Sequence, residues 1–226
     1  KLTGINPLSC TTIASYAMKV FRTNFLTEGK ISVLKKDEYD FCKRGFYGGR
    51  TEVFKRYEKI SNKDIEDGKY INYIDIKSLY PTVQFYDKLP CGLPVWEHEP
   101  IITDMKKYLE NHFGYLEVDV KCPNIHIPLL PEKKNFKLMF DNQPKNKCVY
   151  SSVELLRAIE IGYKITKVYR SLSFDKCDDL FKGYIRTFFK IKEESNGYNG
   201  DDIDGHILRT YNETGVMLEK DKIKKN

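Results

Sequence analysis

Hydrophobic and polar positions alternate most cleanly over residues 114–121, Gly-Tyr-Leu-Glu-Val-Asp-Val-Lys, where Leu116, Val118 and Val120 share one face. A period of two predicts a half-buried strand. A second apolar run, residues 70–76, sets Ile71, Tyr73, Ile74 and Ile76 around the acid Asp75. These β-branched and aromatic residues predict a buried strand, and Pro81 stands where the first turn of a following helix accepts it. The strongest helical period lies at 176–194. There Leu180, Phe181, Tyr184, Ile185, Phe188, Phe189 and Ile191 form one face, and Lys182, Arg186, Lys190 and Lys192 line the other.

Weaker patterns fill the rest. Residues 8–25 predict a helix with Ile13, Tyr16, Met18, Val20, Phe21 and Phe25 on its apolar side, capped by Ser9, Thr11 or Thr12. Residues 29–57 predict a short strand, a helix near 36–43, a glycine turn and a second strand. Residues 87–94 are turn-rich, and 136–140 are strand-like. Ser151 and Glu154 make a capping box that opens a helix to about Gly162, followed by a strand over 163–172. The tail reads as a short helix, a turn at Gly215 and a basic end of Lys220, Lys222, Lys224 and Lys225. Helices and strands mixed in this way predict an α+β fold.

The 226 residues allow one large domain or two small ones, and 41% hydrophobic with 31% charged residues predicts a core-forming chain. No apolar run approaches about 18 residues, so no membrane partner is expected. Residue 1 is Lys rather than Met and no signal peptide follows, as expected of a fragment. A net charge of +6 fits a nucleic-acid partner without specifying one. The six cysteines form no C-x-x-C pair, and the four histidines are scattered. Free thiols in a reducing, intracellular compartment are the reading. Asp201, Asp202 and Asp204 read as a polar loop or helix start.

The chemistry concentrates after residue 70. A carboxylate, Asp75, ends an apolar run, and a tight turn at Ser78 leads into a helix whose first amides lack intrahelical partners. Such a site suits a metal-bound triphosphate. Asp75, Ser78, Leu79, Tyr80 and Pro81 resemble the first catalytic motif of family B DNA polymerases, D-x-x-S-L-Y-P. The resemblance implies a DNA-directed DNA polymerase, a nucleotidyltransferase that uses two Mg²⁺ ions. It makes Asp75 a metal ligand and brings the Ile76 carbonyl to the metal that carries the nucleotide. It turns the Ser78 and Leu79 amides toward the triphosphate and puts the Tyr80 ring where a 2′-hydroxyl would lie.

Two further stretches resemble the protein-primed branch of that family. Phe46, Tyr47, Gly48, Gly49 and Arg50 resemble its DNA-contacting Y-x-G-G loop, with Phe46 where the pattern has Tyr. Lys192 occupies the place of a lysine near DNA or primer. The implied organisation is a partial polymerase palm with an inserted α+β subdomain and flanking helices. Residues 1–28 end an exonuclease-domain helix, 29–97 form the first part of the palm, 98–175 the insertion, and 176–226 the return helix and start of the fingers. The implied partners are primer-template and single-stranded DNA, a deoxynucleoside triphosphate and a terminal protein that docks on the insertion. The family's second and third motifs, K-x-x-x-N-S-x-Y-G and Y-x-D-T-D-S, are missing, so the chain alone is expected to be inactive. A non-enzymatic relic or adaptor that binds single-stranded nucleic acid or a terminal protein stays open as an alternative.

Overall fold

The computed structural model describes residues 3–76 and 78–224. The fold is α+β, and the chain divides into two units, Lys1–Ile31 with Ser78–Leu89 and Lys176–Asn226, and Ser32–Lys77 with Pro90–Asp175. The basic residue Lys225 lies outside the described residues.

The second unit is built on a four-stranded sheet of order β1-β6-β2-β5, with β1 Leu89–His98, β2 Gly114–Lys121, β5 Lys145–Ser151 and β6 Lys164–Cys177. β2 runs antiparallel to both neighbours, with Leu116 opposite Tyr150 and Ser171, and Glu117 opposite Val149 and Arg170. The alternation read from the sequence is the pleat itself. Leu116, Val118 and Val120 are buried on one face with Leu109 of α5 (Met105–Asn111) and Leu155 and Ala158 of α6 (Ser152–Glu160). α6 opens with the expected reciprocal cap: Ser151 Oγ accepts from the Glu154 amide, and the Glu154 carboxylate accepts from the Ser151 amide. On the other face Phe41 and Cys42 of α2 (Lys36–Arg44) pack on Val149, Leu172 and Trp96. Burial pushes the Cys42 thiol up to about 11, so it is held protonated. None of the six cysteines is in a disulfide; Cys42 and Cys177 are buried and the other four half-buried.

Several sequence expectations need correction here. Residues 70–76 form no strand; Tyr73 is 98% and Ile74 81% exposed. A strand lives on its partners, and among the described residues nothing hydrogen-bonds along this run. From Leu89 on, the turn-rich stretch 87–94 is instead strand β1, which tolerates Pro90 and Pro94 because it is the sheet's edge. No strand follows the glycine turn at 44–50, and the short strand before α2 is a single bridge residue. The strand-like 136–140 shortens to β4 (Lys137–Met139), paired with β3 (Glu132–Lys134) across Asn135 and Phe136, both at positive φ. Two left-handed residues make the tight turn whose twist suits a hairpin.

In the first unit the helix expected over 8–25 is a 3₁₀ turn, Pro7–Ser9, followed by α1, Ile13–Asn24, capped by Thr12. Val20 and Phe21 are buried while Ile13 and Met18 are exposed, so the apolar face is narrower than expected. Phe21 stacks on Phe181 at 4.6 Å, and Phe25 meets the edge of Tyr184 at 5.4 Å. The basic helix starts later than expected, as α7 (Lys182–Asn196), because β6 runs on to Cys177. Its far end is pinned by buried Glu194, which accepts from the Glu219 amide at 2.8 Å. The short helix of the tail is α8 (Ile203–Thr214), ending at Gly215.

Candidate nucleotide and nucleic-acid site

Ser78 opens α4 (Leu79–Tyr86) from a left-handed conformation, φ 56°, and its side chain makes no cap hydrogen bond. The first helical bond joins the Thr82 amide to the Ser78 carbonyl at 3.0 Å, so the amides of Leu79 and Tyr80 have no use within the helix. Pro81 sits in this first turn and has no amide to leave unpaired. The turn therefore offers an anion two donors and the positive end of a short helix dipole.

One cavity of about 360 Å³ in this unit joins that turn to the basic helix. Ser78, Pro81, Thr82 and Phe85 of α4 line one side, Phe188 and Lys192 of α7 the other, with Thr214 and Val216 beyond. Arg186 lies over the Phe85 ring at 5.3 Å and closes the α4–α7 seam. The arrangement gathers a helix N-terminus and an ammonium around one mostly apolar space. It can hold an anion at one end and a flat apolar group along the wall. Leu79 and Tyr80 belong to the same turn but do not line the cavity, and Tyr80 is 79% exposed.

Asp75 and Ile76 fall in the other unit, at the end of the exposed run 70–76. Among the described residues no three His, Cys, Asp or Glu side chains are grouped to hold a metal ion.

The resemblance makes 46–50 a DNA-contacting loop, and in the structure several of its side chains have partners within the chain. Phe46 is exposed yet meets the Tyr115 ring edge-on at 5.7 Å, on the α2 side of the sheet. Tyr47 stacks on buried Tyr150 at 5.5 Å, on the opposite side. Burial raises the Tyr47 hydroxyl well above its ordinary value. Arg50 donates to the Pro128 carbonyl at 2.7 Å, pairs with Glu52 at 2.6 Å and lies over Phe140 at 4.7 Å. Its guanidinium is thereby a tether of the loop. Lys133 binds the Phe46 carbonyl at 3.0 Å and covers the Tyr47 ring at 5.2 Å. Apart from Glu52, these partners lie about 70 to 100 residues downstream, with no local signal to announce them. Gly48 and Gly49 have open space around them and no positive φ; the constrained glycine is Gly45, where a Cβ would meet the Tyr115 ring at 2.7 Å.

Comparison with known proteins bears on all of this. Residues 2–203 match the family described as DNA polymerase type B, organellar and viral. A probable DNA polymerase of Podospora anserina is 31% identical over 189 residues, covering 82% of this chain and 14% of that protein. One from Neurospora intermedia is 29% identical over 198 residues, covering 83% of this chain and 19% of its own length. The chain thus spans less than a fifth of these curated relatives. Among solved structures, Phi29 DNA polymerase complexed with primer-template DNA and incoming nucleotide substrates superposes with a TM-score of 0.60 at 20% identity, covering 84% of this chain and 34% of that one. The same polymerase in an orthorhombic crystal form gives 0.61 at 19%, covering 83% and 33%.

Proposed function

Since this chain belongs to the organellar and viral type B DNA polymerases, we propose that it carries part of the nucleotide site of a protein-primed polymerase, which adds deoxynucleotides to a primer hydroxyl. The supporting observation is the shared cavity of Ser78 and Lys192. A triphosphate seated at the N-terminus of α4 would meet the Ser78 and Leu79 amides, with the Lys192 ammonium in the cavity that Ser78 lines. Asp75 and the Ile76 carbonyl are proposed as ligands of the metal that neutralises that triphosphate, and Tyr80 as the group that rejects a 2′-hydroxyl. Phe46, Gly48 and Gly49 are proposed to face DNA, with Tyr47 and Arg50 holding them in place. The insertion, residues 98–175, is proposed as the platform for the terminal protein.

The side chains present do not suffice for two Mg²⁺ ions. Asp75 supplies one carboxylate, and among the described residues no acidic cluster accompanies it. Phosphoryl transfer needs carboxylates that bridge both ions, so no step of that chemistry is assigned to this chain's residues.

The test uses the intact polymerase. Lys192→Ala should raise KM for a deoxynucleotide about tenfold with little change in kcat, the signature of lost ground-state binding. Asp75→Asn should abolish incorporation. Tyr80→Val should relax selection against ribonucleotides at least about tenfold, because an apolar pocket alone rejects an added hydroxyl weakly. An unchanged KM in Lys192→Ala would remove the cavity from the nucleotide site.

A further inference from the structure

The α2 face of the sheet carries a charged surface that the nucleotide reading does not use. Glu117, Asp119 and Lys121 of β2 point to this face, and across the ladder they meet Arg170, Lys167 and Lys164 of β6. Lys121 and Lys164, both exposed, stand directly opposite one another, a like-charge pair that destabilises a sheet by itself. Glu117 is neutralised by Arg44 at 2.6 Å and Arg170 at 2.8 Å. Asp119 accepts from the Tyr169 hydroxyl and from the Lys147 amide, each at 2.8 Å, so its oxygens fix a ring and a backbone.

That fixed ring organises the surface. The Lys167 ammonium lies 4.5 Å and the Lys147 ammonium 5.0 Å from the centre of Tyr169. Neither lysine has an ion-pair partner among the described residues. Lys147 holds its place from a left-handed conformation, φ 49°, which a lysine seldom adopts. Two ammonium groups are thus held against one ring while Lys121 and Lys164 continue the positive stripe along the strands.

We propose that this face, centred on Lys147, Tyr169 and Lys167, binds the phosphodiester backbone of DNA, apart from the nucleotide cavity. Charge complementarity argues for a polyanion: Lys121, Lys147, Lys164 and Lys167 are exposed, and of the β2 carboxylates on this face Glu117 is already paired with Arg44 and Arg170, which leaves Asp119. A bulge in β6 sets Lys167 and Lys164 opposite Asp119 and Lys121, two positions apart on β2 and about 7 Å at the strand rise, so the lysines form a row that suits a chain of phosphates better than one small anion. Because lysines cover the Tyr169 ring, the ring is not a platform for bases, and the contact reads backbone charge rather than sequence. This inference rests on the nucleic-acid reading proposed above and adds a second contact surface to it.

The test measures binding of a fluorescein-labelled single-stranded oligonucleotide and a duplex by the 226-residue chain, from about 50 to 200 mM salt. Lys147→Gly with Lys167→Gln should weaken binding about tenfold and reduce the salt slope by about 1.4, two contacts at about 0.7 each for single strands. Glycine suits the left-handed position, so this variant keeps the backbone; Lys121→Gln with Lys164→Gln offers a second, exposed pair that should weaken binding several-fold. Unchanged affinity and slope in both variants overturn the inference. If affinity is then lost in Phe46→Ala instead, the nucleic-acid reading stands and only this surface falls. If the unaltered chain binds no oligonucleotide, both fall. Competition by polyglutamate as strong as by DNA would mark the face as a site for an acidic protein and overturn the proposal.

Discussion

Residues 114–121 and 70–76 carry similar sets of β-branched and aromatic side chains, yet one is the central strand of a sheet and the other is exposed coil. The difference lies in what surrounds them. β2 has β5 and β6 on either side to receive its amides and carbonyls, and two helices to cover Leu116, Val118 and Val120. Residues 70–76 have neither, and Tyr70, Ile71, Tyr73, Ile74 and Ile76 all face solvent. Strand propensity measures how well a side chain fits a pleated, half-buried surface; where no such surface exists, it has nothing to act on.

The largest expected effect is on the partnered strand. Leu116→Ala opens a void in a fully buried site and should cost about 2–5 kcal/mol, read by urea denaturation at constant m-value. A cost below about 1 kcal/mol would mean that β2 is no better supported than 70–76. An intermediate effect comes from the charge buried in the same strand. Burial pushes the Glu117 carboxyl up, but its hydrogen bonds to Arg44 and Arg170 outweigh this and hold it below the ordinary 4.5. With the folded value depressed, the unfolded chain binds more protons, so the contribution is complete above about pH 4.5 and fades as pH falls further. Glu117→Gln should cost about 1–3 kcal/mol at neutral pH and flatten the acid limb of the stability profile. An acid limb unchanged by the substitution would contradict this. The smallest effect belongs to the unpartnered run: Ile74→Ala should stay within about 0.5 kcal/mol in the same denaturation assay. A larger loss would show that 70–76 is packed in solution.

The same contrast explains what could be read from the chain alone. β2 and the capped helix α6 carry their signals within one or two turns of sequence: strict alternation, and a Ser and Glu three apart. Such elements were legible. β1 was hidden because Pro90 and Pro94 look like turn residues until the strand is known to be an edge. In the candidate site, the turn into α4 was legible from Ser78 and Pro81, but nothing local tells that Ser78 shares a cavity with Lys192, more than a hundred residues on. Tyr47 and Arg50 looked outward for the same reason: Tyr150, Pro128 and Phe140, which turn them inward, are distant in sequence. The glycine pair drew attention to Gly48 and Gly49, whereas contact geometry singles out Gly45.

Strand β5 is the other border of the sheet, and a border strand exposes a row of amides and carbonyls that a foreign chain can copy. Here Arg44 donates to the Lys147 carbonyl at 2.9 Å and Tyr47 stacks on Tyr150, while Phe46 sits one strand further in, against Tyr115 of β2. The segment 44–47 therefore works as a guard rail. It occupies part of the margin with a cation and an aromatic ring rather than with another strand, the kind of cover that blunts an exposed sheet border.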